Sequence, residues 1–234
     1  MSQSNVLRNS VNQHSAKNNE SKFHDADILD ISYELSEKYK LLYPGYEFGV
    51  DEKIPITILK EMYDSDVEVN DKSYLKPDGG LSWIRINGVK YYYLFPEQKR
   101  QGTNDKRLTE GKKKQSQGNA SERIADKLCV ARLIFGDEDI CPFVVFLQGC
   151  DFYELESTIP DRIKRTFNFT EPNVIHYEWM KLQKHNSVGG SYFMRGHSMN
   201  DAPGSSDWST QEMYNIMDKI SKYSIEYYIK KYDK

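Results

Sequence analysis

Two carboxylates and one lysine stand at the ends of two neighbouring predicted strands. Asp78 follows Pro77 just before the segment LSWIRI (81–86), and Glu97 and Lys99 follow the segment VKYYYLF (89–95). The strands of a hairpin are neighbours, so the carboxylates of Asp78 and Glu97 are expected to converge. Alternate residues of a strand point the same way, which places Lys99 beside them.

This arrangement suits hydrolysis of a phosphodiester. Two carboxylates together with water are typical ligands of Mg²⁺, and a bound metal acidifies water and neutralises phosphate charge. Lys99 would orient or deprotonate the attacking water and stabilise the developing charge. The spacing alone leaves a plainer alternative open, in which Asp78 belongs to a turn and Glu97 and Lys99 form an exposed ion pair.

The elements that must position these residues form an α/β core. Asn87 and Gly88 join the two strands and favour a two-residue hairpin turn. A helix is predicted over 27–42, and a second begins after Asn119, which with Glu122 forms a capping-box-like pair. The continuous apolar run over 143–147 predicts an interior strand covered on both faces.

The rest of the chain is less regular. Residues 1–22 are predicted to be a flexible polar arm, because they offer too little apolar surface to offset the entropy of ordering, and 23–234 a single domain. Shorter elements are predicted as helices near 57–63 and 160–167 and strands over 174–180 and 192–195. Ser209 and Glu212 predict a capping box before a final helix. Its expected apolar stripe is Met213, Ile216, Ile220, Tyr223 and Tyr227.

The net charge and the hydropathy of the chain limit how it could bind DNA or a membrane. The formal net charge is -3 and the pI is about 6.0, so binding to a polyanion such as DNA would have to be local. The segment from 99 to 118 is rich in Lys and Arg and almost free of apolar residues, which is typical of a solvated or DNA-facing loop. No apolar run is long enough for a membrane helix, and we expect a cytoplasmic protein.

Four sequence blocks resemble those of a known family in their order and spacing. They are KPDGG (76–80), EQKRQG (97–102), GNASER (118–123) and PFVVFLQGCDF (142–152). Together they are similar to the EcoRI-like branch of the PD-(D/E)xK restriction endonucleases. The resemblance implies a central mixed β-sheet flanked by helices, with Asp78, Glu97 and Lys99 as catalytic residues and the two carboxylates as Mg²⁺ ligands.

The resemblance also implies how DNA is read. In that family the GNAxER segment opens a helix that enters the major groove and contacts an AATT core, which assigns base contacts to Asn119, Ala120, Glu122 and Arg123. These residue types suit such contacts, although Asn119 and Glu122 could instead only cap the helix. Candidates for backbone or flanking-base contacts are Arg100, Lys112, Lys113, Lys114, Gln117 and Arg195.

The implied protein is a type II site-specific deoxyribonuclease. It would act as a homodimer on a palindrome, leave 5′-phosphate ends with a four-base 5′ overhang, and need a cognate DNA methyltransferase in the same cell. Alternatives are a PD-(D/E)xK nuclease of other specificity, a catalytically impaired DNA-binding protein of the same fold, and an unrelated domain with coincidental motifs. Pro96 directly precedes Glu97 and predicts an edge position or a bulge there.

Overall fold

The structure is a computed structural model that describes most of the chain. The described residues are 27–55, 57, 72–102, 110–112, 120–153, 157–168, 190–202 and 204–233. The predicted N-terminal arm, the strand expected over 174–180 and nearly all of the helix expected near 57–63 lie outside these ranges. Most of the basic segment between 99 and 118 also lies outside them.

A five-stranded mixed sheet is the centre of the fold. Its strands, in spatial order, are β1 (Glu47–Asp51), β4 (Leu81–Ile86), β5 (Val89–Arg100), β6 (Phe143–Gln148) and β7 (Ser191–Arg195). Two short strands, β2 (Ile54–Pro55) and β3 (Tyr74–Leu75), pair separately. The pairs β1–β4 and β4–β5 are antiparallel, whereas β5–β6 and β6–β7 are parallel. The strand β5 therefore joins the two halves of the sheet.

The predicted hairpin is confirmed. Asn87 and Gly88 have φ angles of 50° and 81°, as a type I′ turn requires at both of its central positions. The strand β5 is longer than the apolar pattern indicated, because it continues through polar residues to Arg100. Its first half pairs with β4 and its second half with β6, so Glu97 and Lys99 lie in the half that pairs with β6.

Helices cover both faces of the sheet. They are α1 (27–42), α2 (Ala120–Phe135), α3 (Ile159–Asn168) and α4 (Thr210–Tyr232). On β6, Val144 and Phe146 pack in one buried cluster with residues of α1 and α4. Val145 and Leu147 pack in the other cluster with residues of α2 and α3. The interior strand covered on both faces and the α/β class are thereby confirmed.

The last helix confirms its predicted cap but not all of its predicted stripe. Ser209 and Glu212 form a reciprocal capping box. Tyr223, expected to be buried, is 44% exposed, and the buried side instead includes Met217 and Ser224. Small serines allow α4 to pack closely on the sheet, and an apolar pattern does not reveal them.

Among the described residues, no helix is both long and apolar enough to cross a membrane.

Candidate active site

Asp78 is held beside β5 by backbone hydrogen bonds. Its carboxylate oxygen Oδ2 accepts a hydrogen bond from the Gln98 backbone nitrogen at 3.1 Å, and the Gly79 nitrogen donates to the Pro96 carbonyl at 3.2 Å. A Cβ at Gly79 would lie 2.5 Å from Pro96 Cγ, closer than two carbon atoms tolerate. The glycine after Asp78 is thus needed for the close approach of this turn to the strand.

Glu97 and Lys99 meet Asp78 at this point. The Lys99 ammonium donates a hydrogen bond to Glu97 Oε2 at 2.8 Å and another to Asp78 Oδ2. The Glu97 side chain is completely buried, while the side chains of Lys99 and Asp78 are 20% and 18% exposed. The structure therefore brings the three predicted catalytic residues together in one cluster that is partly exposed through Lys99 and Asp78.

Pro96 interrupts no strand pairing. The Phe95 nitrogen donates to the Pro142 carbonyl on the β6 side, whereas the Gln98 nitrogen points to Asp78 on the opposite side. Backbone groups alternate along a strand, so the proline nitrogen faces the Asp78 turn, where the ladder needs no donor. The expected edge position is correct locally, because β5 pairs only with β6 at Pro96. The register shift between β4 and β5 lies elsewhere, between Ser82 and Trp83.

A second lysine belongs to the cluster and was missed by the sequence reasoning. The Lys127 ammonium, on α2, lies 2.9 Å from Glu97 Oε1 and donates a hydrogen bond to the Lys76 carbonyl at 3.2 Å. Glu97 Oε1 accepts no hydrogen bond from any described residue, so this contact is an ion pair without hydrogen-bond geometry. The available signal was a lysine within the apolar stripe of α2, three residues after Ile124.

The cluster shifts the pKa of each catalytic candidate. Burial, and next the charge of Asp78, raise the pKa of Glu97 to about 7, although Lys99 and Lys127 act against this. Burial raises the pKa of Asp78, but Lys99 and hydrogen bonds outweigh it and hold the pKa below its ordinary value. Burial lowers the pKa of Lys99, and the two carboxylates outweigh it, so Lys99 stays protonated.

The donor set fits a hard divalent cation that keeps part of its water shell. Within the described ranges, no group of three or more His, Cys, Asp or Glu residues could hold a metal, so Asp78 and Glu97 are the protein ligands to consider. The buried Glu97 oxygen Oε1, which lacks a hydrogen bond from the described residues, could bind a cation in place of the Lys127 ammonium. Mg²⁺, which accepts waters in its remaining positions, matches this pair.

The candidate recognition residues begin the helix that reaches the cluster. Glu122 and Arg123 are exposed in the first turn of α2, and Lys127 lies one turn after Arg123. Ala120 is the first residue of α2, while Asn119 lies outside the described residues, so its capping role stays a prediction. The same helix thus carries exposed polar groups at its start and contacts Glu97 farther along.

The candidates for DNA backbone or flanking-base contacts are dispersed. The Arg100 guanidinium lies 3.6 Å from Asp207, and Lys112 pairs with Glu110 on the surface. Arg195 forms two hydrogen bonds with Glu212, at 3.0 and 2.5 Å, and its guanidinium lies 3.7 Å from the Trp208 ring centroid. The predictions for Lys113, Lys114 and Gln117 concern residues outside the described ranges.

The site is a lysine-bridged pair of carboxylates on a mixed sheet flanked by helices. The model of the family "Restriction endonuclease EcoRI" matches residues 10–171, more than half of the 234 residues. The type II restriction enzyme RsrI of Cereibacter sphaeroides is 28% identical over 155 residues, which cover 59% of this chain. The aligned part spans 56% of that relative. The chain belongs to the EcoRI restriction endonuclease family.

Proposed function

We propose that this protein is a type II site-specific deoxyribonuclease that hydrolyses duplex DNA with Mg²⁺. The observation that carries the proposal is the meeting of Asp78, Glu97 and Lys99 at one partly open cluster in a chain of this family. A cluster that served only to stabilise the fold would gain little from one completely buried carboxylate beside a second that is mostly buried, because burying charge is costly even when it is paired.

The side chains divide the work of hydrolysis. Asp78 and Glu97 hold the cation, which when bound supplies a more acidic water and positive charge beside the phosphate. Lys99, protonated in this cluster, orients the attacking water and stabilises the charge that develops on the phosphate oxygens. The water oxygen bonds to phosphorus as the water gives up a proton to solvent, the bond to the 3′ oxygen breaks, and the 3′ oxygen takes up a proton from solvent. The products carry a 3′-hydroxyl and a 5′-phosphate.

Sequence specificity is assigned to the start of α2. An AATT core is supported by the residue types of the GNASER block, since Asn reads adenine, a carboxylate accepts from a base amino group, and Ala fits a thymine methyl. Asn119, Ala120, Glu122 and Arg123 are the proposed base contacts. Contacts to the phosphates are assigned to the basic segment around Lys112, Lys113 and Lys114. Gln117 and Arg195 are the candidates for the flanking base pair.

A palindromic site implies a two-fold symmetric enzyme. We propose a homodimer in which each subunit cuts one strand, leaving a four-base 5′ overhang as the resemblance implies. Such an enzyme would act on DNA in the cytoplasm, and the host would protect its own sites with a cognate methyltransferase.

Digestion of a plasmid of known sequence with Mg²⁺ tests the proposal. We expect the wild type to give discrete fragments whose sequenced ends lie at AATT-containing palindromes. Glu97→Ala and Asn119→Ala should both abolish this pattern, whereas Lys222→Met, at a surface lysine 66% exposed, should retain it. Binding without cleavage would indicate a catalytically impaired DNA-binding protein, and cleavage indifferent to sequence would contradict the assigned specificity.

A further inference from the structure

The acidic pair of the site is already balanced by two lysines. Lys99 lies 2.8 Å from Glu97 Oε2 and Lys127 lies 2.9 Å from Glu97 Oε1, while Lys99 also bridges to Asp78. Each oxygen of the buried Glu97 carboxylate therefore faces an ammonium group. When both carboxylates are ionised, they and the two ammonium groups together carry no net charge in the protein without DNA.

This balance disfavours a divalent cation by itself. Adding two positive charges to a neutral cluster of mostly buried groups places the cation beside two ammonium groups in a low-dielectric region, where repulsion is strong. A DNA phosphate brings negative charge to the same place and offers the lysines another partner. The charges on the protein thus favour the joint entry of cation and phosphate over the entry of cation alone.

Lys127 is the lysine suited to release the carboxylate. Lys99 donates hydrogen bonds to both carboxylates, whereas Lys127 donates its hydrogen bond to the Lys76 carbonyl and contacts Glu97 only as an ion pair. Moving the Lys127 ammonium away from Glu97 therefore breaks no hydrogen bond between them. Its side chain is 21% exposed, so it can turn toward a phosphate at the open side.

We propose that Lys127 is a counter-ion that keeps divalent metal out of the DNA-free site and exchanges Glu97 for phosphate when DNA binds. This inference rests on the proposed function, because it assumes that the site receives a metal and a DNA phosphate. Lys127 is a positioning residue in this scheme, acting through Glu97. Metal binding and DNA binding then become thermodynamically coupled, and each strengthens the other by the same factor.

The first test measures Mn²⁺ binding to the DNA-free protein. The electron paramagnetic resonance signal of the free ion reports how much Mn²⁺ remains unbound. Lys127→Met and Lys127→Gln remove the charge, and we expect both to bind Mn²⁺ at least about tenfold more tightly than the wild type. Glutamine can still donate to the Lys76 carbonyl, so it separates charge from that hydrogen bond. Lys127→Arg and the surface control Lys222→Met should both match the wild type.

The second test uses the reciprocal effect, the affinity for an AATT-containing duplex with and without Ca²⁺. The factor by which Ca²⁺ strengthens DNA binding should be smaller in Lys127→Met and Lys127→Gln than in the wild type. Unchanged or weaker Mn²⁺ binding in both variants, or no Mn²⁺ binding by any of the proteins, would overturn the inference. Failure of the proposed function would appear separately, as a wild type that leaves AATT sites uncut whatever its Mn²⁺ affinity.

Discussion

Replacing Glu97 with glutamine should remove a pH dependence of stability as well as catalysis. The pKa of Glu97 is raised from 4.5 to about 7, chiefly by burial and then by the charge of Asp78. The folded protein therefore favours the neutral carboxyl, which glutamine imitates in shape and charge. We expect Glu97→Gln to cleave no DNA and yet, without metal, to be more stable than the wild type above pH 7.

The magnitude follows from the linkage between protonation and folding. A pKa raised in the folded state contributes stability that is fully present below the unfolded value of 4.5 and is lost as pH rises through about 7. At about 1.4 kcal/mol for each pH unit, the whole effect is about 3 kcal/mol. About 2 kcal/mol of it falls between pH 5.5 and pH 8.

Urea denaturation in the presence of a chelator measures this effect. The free energy of unfolding of the wild type is compared with that of Glu97→Gln at pH 5.5 and at pH 8, so that other titrating groups cancel in the difference. The difference should shift in favour of the variant by about 2 kcal/mol as the pH rises. A difference that stays constant, or that shifts toward the wild type, would refute the reasoning.

Three further substitutions have distinct expected outcomes. Gly79→Ala should lower the free energy of unfolding by about 1–3 kcal/mol in urea titrations and should also slow cleavage. The reason is that the new Cβ would lie 2.5 Å from Pro96 Cγ. A variant as stable as the wild type would contradict this close packing. Arg195→Met should lower the free energy of unfolding by about 1–2 kcal/mol through its lost contacts with Glu212. Fragment-end sequencing should show relaxed selection of the base pair that flanks AATT, and unchanged cleavage sites would leave Gln117 as the candidate for that base pair. Lys99→Met should slow single-turnover cleavage by at least about 100-fold without weakening Mn²⁺ binding. Weaker Mn²⁺ binding would mean that Lys99 instead holds the metal-binding carboxylates in position.

The local signals in the sequence predicted much of the fold. The Asn87-Gly88 dipeptide favours a two-residue hairpin turn, the apolar run of β6 favours a buried strand, and both are confirmed. The length of β5 was not predictable from apolar alternation, because its last four residues are polar, although Glu97 and Gln98 are buried. The buried face of α4 was misassigned where Ser221 and Ser224 pack inside, since small polar residues carry no hydrophobic signal.

The site was predictable where chemistry and local geometry coincide. Glu97 and Lys99 share a strand face by alternation, and the hairpin brings them to Asp78, which follows from short-range rules. Lys127 comes from a helix that starts more than 20 residues after Lys99, and its contact with Glu97 depends on how α2 packs on the sheet. The spacing of residues in the sequence does not predict contacts that depend on how a helix packs on the sheet.

Cleavage of two synthetic duplexes tests the central claim most directly. One duplex carries an AATT-containing palindrome, and the other differs from it only by exchange of the two central base pairs. Both are incubated with the wild type and Mg²⁺, and the masses of the products are measured by mass spectrometry. We expect the wild type to cut only the AATT duplex, giving 5′-phosphate products, and Glu97→Gln to cut neither duplex. Equal cutting of both duplexes by the wild type, or cutting by Glu97→Gln, would contradict it.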